Sequence, residues 1–174
     1  PFYPGIGVGG HCIPVDPFYL SWKAKEYDSY VNFIELAAKT NDNRPYYAVS
    51  RIVDVLGGMG KTAKGARLLL LGVSFKKDIG DTRNSPALRV AELLSDKGAT
   101  IAFSDPHVPE VTIGGRHLKS VDLNETELQQ HDAAIILVNH GLYDIGSVVR
   151  HSRLVIDTGD TTRQLGPSST VVRL

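Results

Sequence analysis

Leu68, Leu69, Leu70 and Leu71 form an unbroken apolar run that stops at Gly72, and Ala133, Ala134, Ile135, Ile136, Leu137 and Val138 form another. Neither run alternates with polar residues. A strand of that kind is apolar on both faces, so it belongs inside a parallel sheet with helices packed on each side. The intervening sequence supplies the helices. Ser85-Pro86 opens one that runs through Leu94 and stops at Gly98, residues 100–103 read as a second strand, and residues 144–149 read as a further helix before Leu154-Val155-Ile156-Asp157. The expected class is α/β with a parallel sheet. Ligands of such sheets lie beyond the carboxyl ends of the strands, which here means residues 72–83, 104–107, 139–142 and 157–163.

The first third of the chain has a different period. Residues 31–56 carry Phe33, Ile34, Leu36, Ala37, Tyr47, Ala48, Ile52, Val53 and Leu56 at helical spacing, and Pro45 predicts a kink or boundary near Asn43. Residues 14–27 read as a shorter helix, with Asp16 as N-cap and Pro17 in the first helical position. Gly57-Gly58-Met59-Gly60 and residues 61–65 read as a stop and linker. The apolar stripe of the long helix exceeds what a small following domain covers, so the helix is expected to pair with a second copy, with Ile52 and Leu56 as candidate partner-facing positions.

Bulk properties exclude several classes. Lys plus Arg and Asp plus Glu are 19 each, so the net charge is zero and neither nucleic acid nor a membrane surface is an expected partner. No run approaches the roughly 18–20 apolar residues of a membrane span. A single cysteine rules out a disulfide framework and a multi-cysteine zinc site and points to a reducing, cytoplasmic setting.

That cysteine, Cys12, follows Gly7-Val8-Gly9-Gly10-His11 and precedes Ile13-Pro14-Val15-Asp16. A thiol next to glycines and a helix start is approachable and lies beside free backbone N–H groups that favour a thiolate, the setting of a nucleophile rather than of a small core residue. A second segment, Phe75-Lys76-Lys77-Asp78-Ile79-Gly80-Asp81-Thr82-Arg83-Asn84-Ser85-Pro86, brings three cations to a strand-to-helix junction. Among two aspartates they could be a solvated loop, but beside a helix N-terminus they suit a diphosphate. Gly5 to Gly10 also satisfies G-x-G-x-x-G. No strand precedes it, so it reads as a flexible substrate loop rather than a dinucleotide fingerprint.

The two motifs, Gly-Val-Gly-Gly-His-Cys-Ile-Pro-Val-Asp-Pro-Phe-Tyr-Leu and Gly-Val-Ser-Phe-Lys-Lys-Asp-Ile-Gly-Asp-Thr-Arg-Asn-Ser-Pro-Ala, together resemble the UDP-glucose/GDP-mannose dehydrogenase family, most closely its branch acting on UDP-N-acetylhexosamines. The resemblance implies an N-terminal NAD domain, a central helix that dimerises and a Rossmann-like UDP-binding domain. Residues 1–12 would be the substrate and catalytic loop, 13–60 the helical dimerisation segment and 61–174 the UDP-sugar-binding domain. The chain would then be a piece that lacks the NAD domain and is inactive alone.

The chemistry so implied oxidises a sugar C6 alcohol to a carboxylate in two hydride transfers to NAD. Cys12 would add to the intermediate aldehyde as a thiohemiacetal, the second oxidation would give a thioester, and water would release the acid. Asp16 would help activate that water. Tyr3, Gly5, Gly7 and Gly9 would grip the sugar and phosphates, Phe75 and Lys76 would contact substrate, and Arg83 would reach the NAD pyrophosphate. Val15 stands where many UDP-glucose dehydrogenases have Lys, in keeping with the N-acetylhexosamine branch. Asp157-Thr158-Gly159-Asp160 lacks the arginine relatives often carry there, with Arg163 as a weak substitute. A UDP-glucose 6-dehydrogenase and a UDP-sugar-binding or dimerisation module without chemistry remain the alternatives. A cysteine hydrolase has no His/Asn partner pattern to support it.

Overall fold

A computed structural model describes residues 3–174; the loop reading of Pro1 and Phe2 lies outside them. Helices α1 (Cys12–Lys25) and α2 (Asn32–Gly58) come first. They are followed by β1 (Arg67–Leu71), α3 (Pro86–Asp96) and β2 (Thr100–Ser104). A hairpin, β3 (Glu110–Ile113) and β4 (Arg116–Lys119), leads through α4 (Glu125–Gln130) to β5 (Ala133–Ile136). The chain then forms α5 (Ile145–His151), β6 (Val155–Asp157), a 3-10 turn (Thr161–Leu165) and β7 (Val171–Arg173).

The five-stranded sheet has the order β2-β1-β5-β6-β7, and every pair in it is parallel. The period-two geometry of a strand divides each apolar run between two cores. Leu68, Leu70 and Ile135 join α2 and α3 on one face through Ile52, Leu56, Val90 and Leu94. Leu69, Leu71, Ala134 and Ile136 join Leu128 of α4 and Val148 of α5 on the other. Both faces are therefore covered, as the unbroken runs require.

Three expectations are corrected. Helix α1 begins at Cys12, with His11 as N-cap, so Asp16 lies inside the helix and caps nothing. Helix α2 runs without a break through Pro45, which is buried in its interior. The bond that a proline cannot give belongs to the carbonyl of Asn41, and that carbonyl faces Gly7, where an added Cβ would approach it to 3.4 Å. Ile52 and Leu56 are fully buried in this chain's own core and face no partner. Helix α2 has two halves: Ala48, Val49, Ile52 and Leu56 pack on the sheet, whereas Phe33 and Leu36 near its start are exposed. Among the described residues no helix is long and apolar enough to cross a membrane.

Candidate functional site

Residues 3–10 form a loop held at several points by elements far away in sequence. The Asn41 side chain on α2 mimics a strand partner: Val8 N–H donates to its Oδ1 (2.7 Å) and its Nδ2 donates to the Val8 carbonyl (2.9 Å). Arg44, one turn further on, donates Nε to the Gly5 carbonyl at 2.8 Å. On the opposite side the Gly10 N–H donates to the Arg83 carbonyl (3.1 Å) and Asn84 Nδ2 donates to the Gly10 carbonyl (3.0 Å). Ile6 sits in the main core. The glycines make this contact possible. A Cβ on Gly9 would strike the Asn84 carbonyl and lie 2.8 Å from Pro86 Cδ, and one on Gly10, which has φ +91°, would lie 2.9 Å from the Phe75 ring. Gly9 is thus pressed against this chain's own wall, and the loop is pinned rather than flexible.

The loop closes one side of a cleft of about 670 Å³. Tyr3, Gly5 and Gly7 face Phe75, Lys76 and Lys77, with Pro86 and Ala87 of the α3 N-terminus between them. The rest of the lining comes from residues 136–139 at the end of β5 and from Thr158, Asp160 and Arg163 after β6, and the Thr158 carbonyl lies 3.9 Å from where a Cβ on Gly5 would stand. The chain leaves β1 toward β2 on one side and returns to β5 on the other, so the cleft lies where the strand order reverses, the place such sheets bind ligands.

Five of the expected residues, Tyr3, Gly5, Gly7, Phe75 and Lys76, therefore meet at one cavity. Gly9, Cys12, Asp16 and Arg83 do not line it. Cys12 is the exposed first residue of α1, and Asp16 is exposed four residues later, one helical turn away. The expected convergence of three cations is corrected. Lys76 and Lys77 reach the cleft, whereas the exposed Arg83 guanidinium is bound by Asp81, with Nε 2.9 Å from both carboxylate oxygens. That bond holds the Asp81 carboxyl down at about 2.

Two buried carboxylates shape the rim. Asp157 accepts from Thr162 N–H (2.6 Å), Thr162 Oγ1 (2.7 Å) and Gly159 N–H (3.1 Å), which fixes the loop carrying Asp160 and Arg163. Arg163 pairs with Asp160 at 3.2 Å. Asp105 accepts from Val73 and Ser74 N–H at Oδ2 (2.8 and 3.2 Å), from His107 and Val108 N–H at Oδ1 (2.9 and 3.2 Å), and lies 3.1 Å from His140 Nε2. Burial works to raise its pKa, but the bonds from His140, Val73 and His107 outweigh it and hold the carboxyl below the ordinary carboxylate range. It thereby anchors Ser74, next to Phe75 and Lys76. Sequence reasoning passed over Asn41, and it included Asn84, Asp105 and Asn139 only within the second motif and the strand-end segments without giving them a role. Asp105 carried a usable signal, an Asp-Pro step at a strand end, but Asn41 sits mid-helix, where an Asn has no local role to betray it.

Fold and cleft define the class: a parallel α/β ligand-binding domain whose cleft is completed by a loop leading into a separate helical segment. Two family models match in chain order, the central domain of the UDP-glucose/GDP-mannose dehydrogenase family over residues 1–43 and its UDP binding domain over residues 69–164. The chain belongs to the UDP-glucose/GDP-mannose dehydrogenase family. It is 34% identical over 143 residues to a UDP-N-acetyl-D-mannosamine dehydrogenase of Yersinia pestis, covering 79% of this chain and 33% of that protein. It is 31% identical over 140 residues to a UDP-N-acetyl-D-glucosamine 6-dehydrogenase of Salmonella typhi, covering 80% of this chain and 32% of that protein. The chain spans about a third of the length of the curated relatives it matches. Among solved structures, a UDP-D-ManNAc dehydrogenase of Pyrococcus horikoshii superposes with a TM-score of 0.79 at 26% identity, over 98% of this chain and 38% of that one.

Proposed function

We propose that this chain supplies the catalytic loop, the dimerisation helices and the UDP-binding domain of an NAD-dependent 6-dehydrogenase that oxidises a UDP-N-acetylhexosamine to its uronic acid. The observation that carries this reading is the cleft at the sheet's switch point. One wall belongs to the loop that runs into Cys12 and the other to the domain matched by the UDP-binding family model. Lys76, Lys77 and the N–H groups at the start of α3 offer a diphosphate both fixed charge and donors, and Phe75 offers an apolar surface beside them.

In this reading Cys12 Sγ, as thiolate, adds to the C6 aldehyde left by the first oxidation, and the resulting alkoxide takes up a proton. The thiohemiacetal carbon then carries both a C–H bond and a hydroxyl, so a second hydride can leave as the hydroxyl proton passes to solvent, and a thioester remains on Sγ. Asp16, on the same helix, accepts a proton from the water that attacks the thioester, and the acid departs as the thiolate is restored. Two molecules of NAD, bound in turn, would each take up one hydride. The described residues fit the dinucleotide only at one point: Arg83, whose backbone carbonyl accepts the Gly10 N–H, carries an exposed guanidinium that would leave Asp81 to meet a pyrophosphate, while no strand leads into the Gly5 to Gly10 run. The dinucleotide cradle is therefore assigned to sequence beyond these 174 residues. The residues bounding the three parts are 1–12, 13–60 and 61–174.

Dimerisation falls to the exposed aromatic face of α1 and the first half of α2. Trp22 is 64% exposed and Phe33 87% exposed, and Leu36, Tyr19 and Leu20 are exposed near them in sequence. Such a face is costly for a monomer and suits a second copy of the chain.

The test is turnover by a chain extended to its relatives' full length. It should convert UDP-N-acetylhexosamine to the uronic acid with two NADH per product, and the 174-residue chain should form none. Cys12→Ala should abolish acid formation, whereas Cys12→Ser should stall as an ester detectable by mass spectrometry. Normal acid production by the Ala variant would remove covalent catalysis at Cys12.

A further inference from the structure

Beside the substrate cleft, at the ends of three strands, lies a cluster that the proposed chemistry does not use. Asp78 follows β1, His107 follows β2 and His140 follows β5. One ligating atom from each lies within 4.8 Å of the other two. Asp78 Oδ1 is 3.9 Å from His107 Nε2 and 3.8 Å from His140 Nδ1. In a tetrahedral zinc site, bonds of about 2.0–2.1 Å place ligand atoms roughly 3.4 Å apart, so a small inward movement of side chains would complete the geometry.

We propose that Asp78, His107 and His140 form a binding site for a divalent transition cation of the zinc type. Three features support it. His140 is fully buried and its Nε2 faces the Asp105 carboxylate at 3.1 Å, the carboxylate–histidine arrangement that orients a metal ligand and makes its other nitrogen more basic. His107 Nε2 is buried without a hydrogen-bond partner, a position that is costly unless something takes up its lone pair or proton. The backbone is also shaped around the cluster. Asp78 adopts φ +60°, Gly141 leaves room where a Cβ would come within 3.2 Å of the Asp78 carboxylate, and Gly80 lies where a Cβ would be 2.5 Å from the His107 carbonyl.

Two imidazoles and one carboxylate with open positions favour zinc over magnesium or calcium, which demand more oxygen ligands. The Asp78 side chain is half exposed, which gives the cation a way in. Two features oppose binding and keep it moderate: the Asp78 N–H competes for Nδ1, and the exposed Lys77 ammonium lies 4.0 Å from Asp78 Oδ2. Occupancy would tie the loops after β1, β2 and β5 together and set the position of Lys76, two residues before Asp78, at the cleft.

The test uses the 174-residue chain carrying Cys12→Ser, so that no thiol competes, stripped with a chelator and titrated with Zn²⁺ by calorimetry and with Co²⁺ by visible absorption. One saturable site per chain is expected, with a higher melting temperature when loaded and no response to Mg²⁺. His107→Ala and Asp78→Asn should each weaken binding by more than about a hundredfold, beyond the ten- to hundredfold that loss of an outer-shell partner costs, with the far-ultraviolet circular dichroism unchanged. If one variant misfolds, the other decides. Absence of saturable Zn²⁺ binding, or binding that survives the substitution in a folded variant, would overturn the site.

Discussion

At the scale of single residues, the loop of residues 3–10 owes its place to side chains from elsewhere in the chain. Asn41 satisfies both backbone groups of Val8, so Asn41→Ala leaves a part-buried N–H and C=O without partners. We expect a loss of about 1–3 kcal/mol in urea unfolding, together with faster protease cleavage within residues 3–12. Unchanged stability and cleavage would show that the loop holds itself. Asp105 gives a pH prediction. Its folded-state pKa is depressed, so its contribution is present above the unfolded carboxylate range near ~3.9 and is lost as pH falls through the folded value. Urea midpoints measured from pH 7 down to pH 3 should decline in the parent, and Asp105→Asn should be less stable at pH 7 with a flatter profile. Parallel profiles would contradict the role given to this carboxylate.

At the scale of elements, the sequence revealed what depends on long apolar periodicity. The runs at Leu68 to Leu71 and Ala133 to Ile136 became central strands because only a doubly covered sheet can bury them. The hairpin of β3 and β4 escaped notice: its strands are four residues each, only Val111 and Ile113 are buried, and its one clear mark is the Gly114-Gly115 turn. Pro45 misled in the opposite sense, because tertiary packing keeps α2 continuous where local propensity would end it. The same helix shows why Ile52 and Leu56 read as partner-facing. Helical spacing marks apolar positions but cannot say whether the chain's own sheet or another copy covers them. Leu56→Ala should therefore cost about 2–5 kcal/mol of folding stability, while Phe33→Asp should lower the sedimenting mass toward that of a monomer, remove the concentration dependence of the melting temperature and leave the far-ultraviolet circular dichroism unchanged. Dissociation by Leu56→Ala without loss of stability, or no effect of Phe33→Asp on a dimer, would reverse that assignment.

At the scale of the whole molecule, the candidate site was legible in part because its two motifs carry unusual residues, a lone cysteine among glycines and cations at a strand end. Their convergence was not legible, since it depends on α2 carrying Asn41 and Arg44 to the loop and on β1 lying next to β5. The central claim is that the cleft between Tyr3, Gly5 and Gly7 on one side and Phe75 and Lys76 on the other receives the UDP moiety. Amide resonances of the ¹⁵N-labelled chain, followed during titration with UDP, test it most directly. Saturable shifts confined to residues 3–7, 74–77, 86–87, 136–139 and 158–164 are expected, with affinity at least about tenfold lower in Lys76→Glu from loss and reversal of a phosphate contact. Shifts centred elsewhere, on the pocket near Asp122 and Asp144 for example, or an affinity indifferent to Lys76→Glu, would contradict it.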